Sequence, residues 1–426
     1  MPDNSFSSFE KLIMENSSPG IKPGLERIEK LLNLIGNPQN KFPAIHVVGT
    51  NGKGSTAAFL NSILSSSGYK TALYTSPHLT SPGERLLING EQLSENEWVD
   101  CAEQIVEVIK NDSDISVSPP SYFEVLTAVA FKLIEKHEVD AAVIEAGLGG
   151  RLDATNTLGD VIASVITSIS IDHTEYLGET IEKIAFEKFS VVRDHRIAVY
   201  LGDNESLHKY FQGSILMRDA RFRVISMSLE GNCYDLTWEQ FQLNRLKTNL
   251  IGEFQIYNSA LAAVASIISS ARLPRINEST IRAGLFSAVW AGRMELIPYD
   301  SGKKYILLDG GHNEDGISKL VKSVRELFKS YTKIAVVYAA MKDKDIFGCL
   351  SHINKLFAPL FLTKVPQNER CASIKDLEVV ARTFSWVEIS CYEDALDAVN
   401  TAKKHYDLVL ICGSLYFIGY VRSKII

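Results

Sequence analysis

The segment Ile45–Thr56, IHVVGTNGKGST, joins an apolar, β-branched run to a turn with glycines at 49, 52 and 54, a lysine at 53 and hydroxyls at 55 and 56. A turn of this kind opening a helix presents backbone N–H groups and partial positive charge to a phosphate. Lys53 adds a full charge for the terminal phosphates, and Ser55 or Thr56 offers a hydroxyl to Mg²⁺. The spacing departs from the common phosphate loop: Val47 stands where its first glycine belongs, and Gly54 intrudes between lysine and serine. Three more polar residues close other apolar runs: Ser76 after KTALYT, Glu145 in VDAAVIEAG and His173 after SVITSISID. An ionised glutamate there is costly unless paired or metal-bound. Taken singly, a strand-end histidine hydrogen-bonds its neighbours and Asp172 caps a helix. Together, serine, glutamate and histidine at three strand ends suit a Mg²⁺ that also holds substrate phosphates.

The elements that must position these residues alternate. Strands are expected at Ala44–Val48, Lys70–Tyr74, Val139–Ala146 and Ala163–Ile171, with helices between them, the first at Thr56–Ser67. That rhythm predicts a mostly parallel sheet, with ligands outside the carboxyl ends of its strands. A helix is expected over Tyr257–Ala271, then a boundary in Ala291–Lys303, where glycine, proline and charge cluster. A second α/β rhythm follows: strands at Tyr305–Leu308, Ile334–Tyr338, Leu360–Thr363 and Leu408–Ile411, and a helix at Gly316–Lys329. The expected architecture is α/β: a large N-terminal P-loop-type domain over residues 1–296 and a smaller, Rossmann-like domain over 297–426.

Composition narrows the class. The 426 residues are 46% hydrophobic and 22% charged, which excludes disordered and fibrous chains and leaves room for two or three domains. A formal net charge of −7 argues against a broad nucleic-acid surface. No apolar run spans a bilayer. The N-terminal MPDNSFSSFEKLIMENSS is polar and acidic where a signal peptide is basic and apolar, so a cytoplasmic protein is expected. Six scattered cysteines without a CxxC pair suggest neither zinc site nor disulfide framework.

Ten segments in order carry a resemblance over nearly the whole chain: GTNGKGST (49–56), YTSPHL (74–79), ERLLINGE (84–91), EAGLGGRLDATN (145–156), IDHTEYLG (171–178), LIGEFQIYN (250–258), WAGRMELI (290–297), LDGGHNEDG (308–316), MKDKD (341–345) and GSLYF (413–417). The chain resembles the folylpolyglutamate synthases, in bacteria often bifunctional with dihydrofolate synthase, within the Mur ligase superfamily. The resemblance implies an ATP-dependent ligase that joins L-glutamate to dihydropteroate and to reduced folates through an acyl phosphate. It implies ATP and Mg²⁺ as cofactors, with two metal sites, and closure of the smaller domain to keep water from the intermediate.

By the same resemblance, Thr50, Asn51, Gly52, Lys53, Gly54 and Ser55 hold the ATP phosphates, and Ser55, Ser76, Glu145 and His173 surround magnesium. Lys188 matches a lysine carbamylated by CO₂ that holds a second Mg²⁺; composition alone makes it a plain helical lysine. Asn258, Arg293 and Asp309 match nucleotide contacts, with His312 beside Asp309 near the γ-phosphate. The pterin side is lined by Gly24, Leu25, Tyr122, Phe123, Glu124, Arg151, Leu152 and Asp153. On a plainer view Tyr122 and Phe123 are core aromatics, and Arg293 pairs with Glu295.

Three positions depart from the family pattern. Phe189-Ser190 replaces a small Ala-Gly after Lys188, an arrangement expected to crowd a modified lysine; Gly311 replaces an alanine; and YAAMKDKD lacks a preceding glycine. A polyglutamylating enzyme without the dihydropteroate activity is the nearest alternative. A cell-wall Mur ligase is the next, disfavoured by the extra glycine of GTNGKGST and by a phosphate loop only 49 residues in. A nucleotide-binding regulator without ligase activity fits the retained polar set less well. A monomer without nucleic-acid or membrane partners is expected.

Overall fold

The computed structural model describes residues 6–426 apart from 21, 194–196, 214, 332 and 367, and leaves the side chain of Arg218 aside. The chain divides into two compact units. One holds residues 1–223, 234–248 and 257–288; the other holds 224–233, 249–256 and 289–426.

The first unit is built on β1 (Ala44–Val48), β2 (Thr71–Tyr74), β3 (Leu86–Ile88), β4 (Glu91–Gln92), β5 (Ala141–Glu145), β6 (Val161–Ile166), β7 (Ile197–Tyr200) and β8 (Ile215–Leu216). They form one sheet in the order β4-β3-β2-β5-β1-β6-β7-β8. The central strands run parallel, and the antiparallel pairings are β2 with β3 and β3 with β4. Every residue of β1, β2, β5 and β6 is buried, as expected of strands covered on both faces. One face packs on Phe9, Ile28, Trp98, Phe131 and the apolar side of the helix Tyr122–Lys136.

A three-stranded sheet follows, β9 (Arg221–Ser228), β10 (Gly231–Trp238) and β11 (Phe241–Thr248), in the order β11-β10-β9. The second unit carries β12 (Glu295–Tyr299), β13 (Lys304–Leu308), β14 (Ile334–Tyr338), β15 (Leu360–Leu362), β16 (Ile389–Cys391) and β17 (Leu408–Cys412), in the order β12-β13-β17-β14-β15-β16. All its pairings are parallel except β12 with β13. Two mostly parallel sheets, each with interleaved helices, are the α/β architecture read from the sequence.

Of the boundaries that differ from the sequence reading, two beside the loop after β1 have a local reason. The helix expected at Thr56–Ser67 spans Lys53–Ser66, because Gly52 takes a left-handed conformation (φ 87°) that ends the turn and lets Lys53 and Gly54 start the helix. The strand expected to reach Ile171 stops at Ile166, because Thr167, Ser168 and Ser170 hydrogen-bond the phosphate loop instead of extending the ladder. All six cysteines are free thiols. No helix among the described residues is long and apolar enough to cross a membrane.

Candidate active site

Parallel pairing places four strand ends side by side. Tyr74 is level with Ile144, Val47 with Glu145, and Val48 with Ile166. Ser76 after β2, Glu145 ending β5, the loop after β1 and Thr167–His173 after β6 therefore lie along one edge of the sheet. The loop is braced by the last of these. Thr50 N–H donates to Ser168 O at 2.7 Å, and Thr50 Oγ1 to Ser170 O at 3.1 Å. The hydroxyls of Thr167 and Ser168 donate to Asn51 O at 2.8 and 3.1 Å. Lys53 folds back over the turn, its Nζ 3.2 Å from Gly49 O and 3.1 Å from Thr50 O. Asn258, on the helix Glu253–Ser269, lies against Gly52: a Cβ there would stand 2.4 Å from Asn258 Oδ1. Ser55 and Thr56 are buried in the first helical turn.

Lys188, on the helix Ile181–Phe189, reaches the same loop and donates to Gly49 O at 2.8 Å. It is 4% exposed. Burial pulls its ammonium down to about 7, and the charge of Lys53 adds to the effect against Asp172, Asp153 and Glu187. A lysine held that far below its ordinary value gives up its proton far more readily than a free one. The turn Gly147–Asp153 packs on this helix: a Cβ on Gly150 would sit 2.7 Å from Glu187 O. Arg151 donates from Nε and Nη2 to Glu187 Oε1 at 3.1 and 2.8 Å, and lies 5.7 Å over the Phe186 ring. Phe189, expected to crowd Lys188, sits with Tyr200 and Phe211, at ring separations of 5.1 and 5.3 Å.

The edge has features that suit a divalent cation. Ser76 Oγ is buried without a hydrogen-bond partner among the described residues, a cost that a bound cation would remove. Glu145, at the adjacent strand end, is 4% exposed. His173 adopts a left-handed φ of 51°; its side chain is 39% exposed, with Nε2 3.9 Å from Asp172 Oδ2. Among the described residues no three His, Cys, Asp or Glu side chains gather into a ready-made cage. A cation here would take hydroxyl and phosphate oxygens beside Glu145 and His173, as Mg²⁺ does.

Of the residues expected to line the pterin side, the structure brings two groups together. Arg27 donates to Lys22 O at 2.6 Å and pairs with Glu124 at 3.2 Å, which ties the Gly24–Leu25 segment to the start of the helix Tyr122–Lys136. Leu25, Tyr122 and Phe123 are partly buried against the core. Phe123 covers the turn that carries Arg151, Leu152 and Asp153, since a Cβ on Gly147 would meet its ring at 2.5 Å. Two carboxylates are engaged by protein groups. Glu124 accepts from Ser121 N–H at 2.6 Å, closing a capping box. Asp153 accepts from Leu148 N–H at 2.8 Å and Thr155 N–H at 3.0 Å, and burial pushes its carboxyl above the ordinary range.

The second unit holds a cluster of its own. Asp309, just past β13, accepts from Gly311 N–H at 2.7 Å and Met294 N–H at 2.9 Å. Burial pushes its carboxyl up, opposed by the charge of Arg293. Arg293 Nη1 lies 2.9 Å from the position a Cβ on Gly310 would take. His312 Nδ1 donates to Gly310 O at 2.9 Å, which leaves the lone pair of the neutral ring on Nε2. Gly311, the alanine replacement, has its absent Cβ 3.0 Å from Asp309 Oδ1. Ser414 was not singled out from the sequence. It precedes the helix Leu415–Ile425 without capping it, and its Oγ is buried with no hydrogen-bond partner among the described residues. Gly413 N–H donates to Gly311 O at 3.0 Å, so this helix start adjoins His312. A Gly-Ser pair between an apolar run and a helical run was the available signal.

Comparison with known proteins bears on the family and the fold. Residues 47–266 match the Mur ligase middle domain, and 292–415 match the Mur ligase glutamate ligase domain. The dihydrofolate synthase/folylpolyglutamate synthase of Bacillus subtilis is 32% identical over 95% of this chain and 96% of its own length. The structure of Escherichia coli FolC in complex with DHPP and ADP superposes with a TM-score of 0.87 at 27% identity, covering 99% of this chain and 97% of that one. A Yersinia pestis folylpolyglutamate synthase/dihydrofolate synthase, complexed with AMPPNP and a Mn ion, gives 0.84 at 27% identity, covering 99% and 98%. With its phosphate loop, its strand-end serine and glutamate and its two matched domains, the chain belongs to the Mur ligase family, among the dihydrofolate synthases/folylpolyglutamate synthases.

Proposed function

We propose that this protein is a cytoplasmic, ATP-dependent ligase that joins L-glutamate to dihydropteroate and to reduced folates, acting as a monomer. One observation carries the reading: the phosphate loop, Lys53, Lys188, Ser76 and Glu145 converge on one edge of a parallel sheet. A carboxylate does not acylate an amine directly, because oxide is a poor leaving group. Its oxygen first attacks the γ-phosphorus of ATP, and the bond to the β-phosphate oxygen breaks, giving an acyl phosphate and ADP. The glutamate amine then attacks the acyl carbon, a proton leaves the nitrogen, and phosphate departs from the tetrahedral intermediate to leave the amide.

In this scheme the Thr50–Ser55 backbone and Lys53 hold the transferring phosphoryl group and offset its charge. Ser55, Ser76, Glu145 and His173 would hold Mg²⁺, which supplies charge neutralisation to the phosphates. Asn258 fixes the loop at Gly52. Arg293, Asp309 and His312 are the second unit's nucleotide residues. The helix start at Ser414 combines an unpartnered hydroxyl with a partial positive charge, and so suits a carboxylate of the amino-acid substrate. Replacing Ser414 with alanine is expected to raise KM for L-glutamate about tenfold, ~1.4 kcal/mol, with KM for ATP unchanged. Initial rates at varied glutamate check this.

Lys188 Nζ, when neutral, attacks CO₂ to form a carbamate and release one proton, which converts a cation into an anion fit for a second Mg²⁺. Modification needs the neutral amine, so activity that depends on added bicarbonate is expected to rise as pH passes upward through about 7. The same group makes stability pH-dependent. Its folded value lies below the ordinary 10.5, so unfolding takes up a proton between about 7 and 10.5 and stability rises with pH across that window. Lys188→Arg stays charged and is expected to lose both dependences; a bicarbonate response as strong as wild type in that variant would rule out carbamylation.

The test of the whole reading is phosphate release from ATP with Mg²⁺ and L-glutamate, supplied with 7,8-dihydropteroate, with a reduced folate monoglutamate, or with neither, followed by mass spectrometry. Release with both pterins, each with its glutamylated product, is the expected result. Release with the folate alone would restrict the enzyme to polyglutamylation.

A further inference from the structure

β1 carries, in the middle of five buried residues, one side chain that is neither apolar nor part of the loop: His46. It is 0% exposed, level with Ile144 of β5 and Ser164 of β6. Its Nε2 lies 2.8 Å from Thr155 Oγ1. Thr155 Oγ1 lies 2.5 Å from Asp153 Oδ1, a carboxylate oxygen that accepts its proton. The threonine oxygen must therefore accept from the imidazole, which places the ring proton on Nε2. Asp153 in turn receives Leu148 N–H at 2.8 Å and Thr155 N–H at 3.0 Å. The result is a buried chain of directed hydrogen bonds, His46 to Thr155 to Asp153 to the backbone of the turn. It runs from the strand that feeds the phosphate loop to the Gly147–Asp153 turn, which also bears Arg151 and the glycine that underlies Phe123.

We infer that His46 and Thr155 are positioning residues that hold the Gly147–Asp153 turn in register with the phosphate loop, and so set the affinity for the pterin-bearing substrate. The inference rests on the proposal that this turn lines the pterin side. An imidazole among Ala44, Ala142 and Ile144 is costly unless it is hydrogen-bonded, and a leucine fills such a place at lower cost. The work the histidine does in return is directional: it holds one proton donor, on a stiff ring, in the middle of β1. Burial keeps the ring neutral, pulling it down to about 3, so the donor does not change with pH over the working range. The device couples two segments more than a hundred residues apart in sequence, at the place where a long substrate has its ring at one end and its reacting carboxylate at the other.

The test measures KM for 7,8-dihydropteroate and for ATP in four variants. His46→Leu and Thr155→Val each break the chain. His46→Gln retains a donor where Nε2 lies, and Thr155→Ser retains the hydroxyl. The breaking variants are expected to raise the dihydropteroate KM about tenfold or more while the ATP KM stays within about twofold. The conservative variants are expected to recover most of the loss. The double variant His46→Leu/Thr155→Val is expected to be no worse than either single, since both cut one chain. A lower melting temperature with an unmoved dihydropteroate KM would overturn the inference, as would a parallel rise in both KM values. If His46→Leu does not fold, Thr155→Val, which is nearly isosteric, decides the matter alone. A wild-type enzyme inactive with both pterins would overturn the proposed function and this inference with it; an active enzyme whose dihydropteroate KM ignores the variants would overturn only the inference.

Discussion

Lys53→Ala is expected to lower kcat about 1000-fold, ~4 kcal/mol of transition-state stabilisation, while the protein still folds. The lysine donates to two carbonyls of its own loop, Gly49 O and Thr50 O, at 3.2 and 3.1 Å. Those carbonyls lie in the turn proposed to hold the phosphates, so losing the ammonium costs little packing, and a melting point within about 2 °C of wild type is expected. The chemistry has no such reserve. Phosphoryl transfer leaves almost no covalent work to the protein, so charge placed against the transferring group carries most of the rate. A second consequence distinguishes this from general damage. Lys53 is among the groups that hold Lys188 below its ordinary range, so its removal should let the Lys188 ammonium rise and shift any bicarbonate-dependent activity to higher pH. Single-turnover acyl-phosphate formation and a pH series on the residual activity check both parts. Near-normal kcat in a folded Lys53→Ala protein would contradict the phosphate-loop assignment.

Much of the first unit was legible because its signals are local. AIHVV, VDAAVIEA and SVITSIS are short apolar runs that end in Gly, Glu or Asp-His, and parallel pairing follows from the helices between them. The edge with Ser76, Glu145 and the loop needed only that pairing. What was not legible depends on contacts distant in sequence. Nothing in AFEKFSVV shows that Lys188 is buried with Nζ on Gly49 O, because that contact spans 139 positions. Phe189 was expected to crowd it; the aromatic partners that take its ring, Tyr200 and Phe211, are recruited from later segments. Glu124 and Asp153, expected on the pterin side, also accept from backbone N–H groups, of Ser121 and of Leu148, partners that the sequence did not show. The hairpin strands β9–β11 were missed because their residues alternate weakly; β9, RFRVISMS, is mostly exposed along its length. Ser414 and His46 escaped because a small hydroxyl residue and a lone strand histidine look ordinary until the partners around them are known.

Gly49→Ala is expected to be as damaging as Lys53→Ala, by a different route. The residue has φ 152°, and a Cβ would stand 1.8 Å from Thr167 Oγ1, 3.0 Å from Thr167 Cβ and 3.2 Å from Ser168 O. Thr167 has little freedom to turn aside, because its hydroxyl donates to Asn51 O inside the same loop. A methyl group therefore forces the loop away from the segment that braces it, at a cost of about 2–4 kcal/mol in stability from strain and overpacking. Gly49 O is also the acceptor for both Lys53 and Lys188, so the displacement misplaces both amines together. A loss of about 1000-fold in kcat/KM for ATP is expected, with a melting point lower by several degrees. Gly90→Ala is the control: its φ is also positive, at 82°, but nothing lies within 4 Å of the new Cβ. That variant should cost about 1 kcal/mol of stability and leave catalysis unchanged. If both glycine variants lost stability alike while Gly49→Ala kept its ATP kinetics, the close fit of loop to brace would be a feature of folding, and the phosphate site would have to be sought elsewhere on the sheet edge.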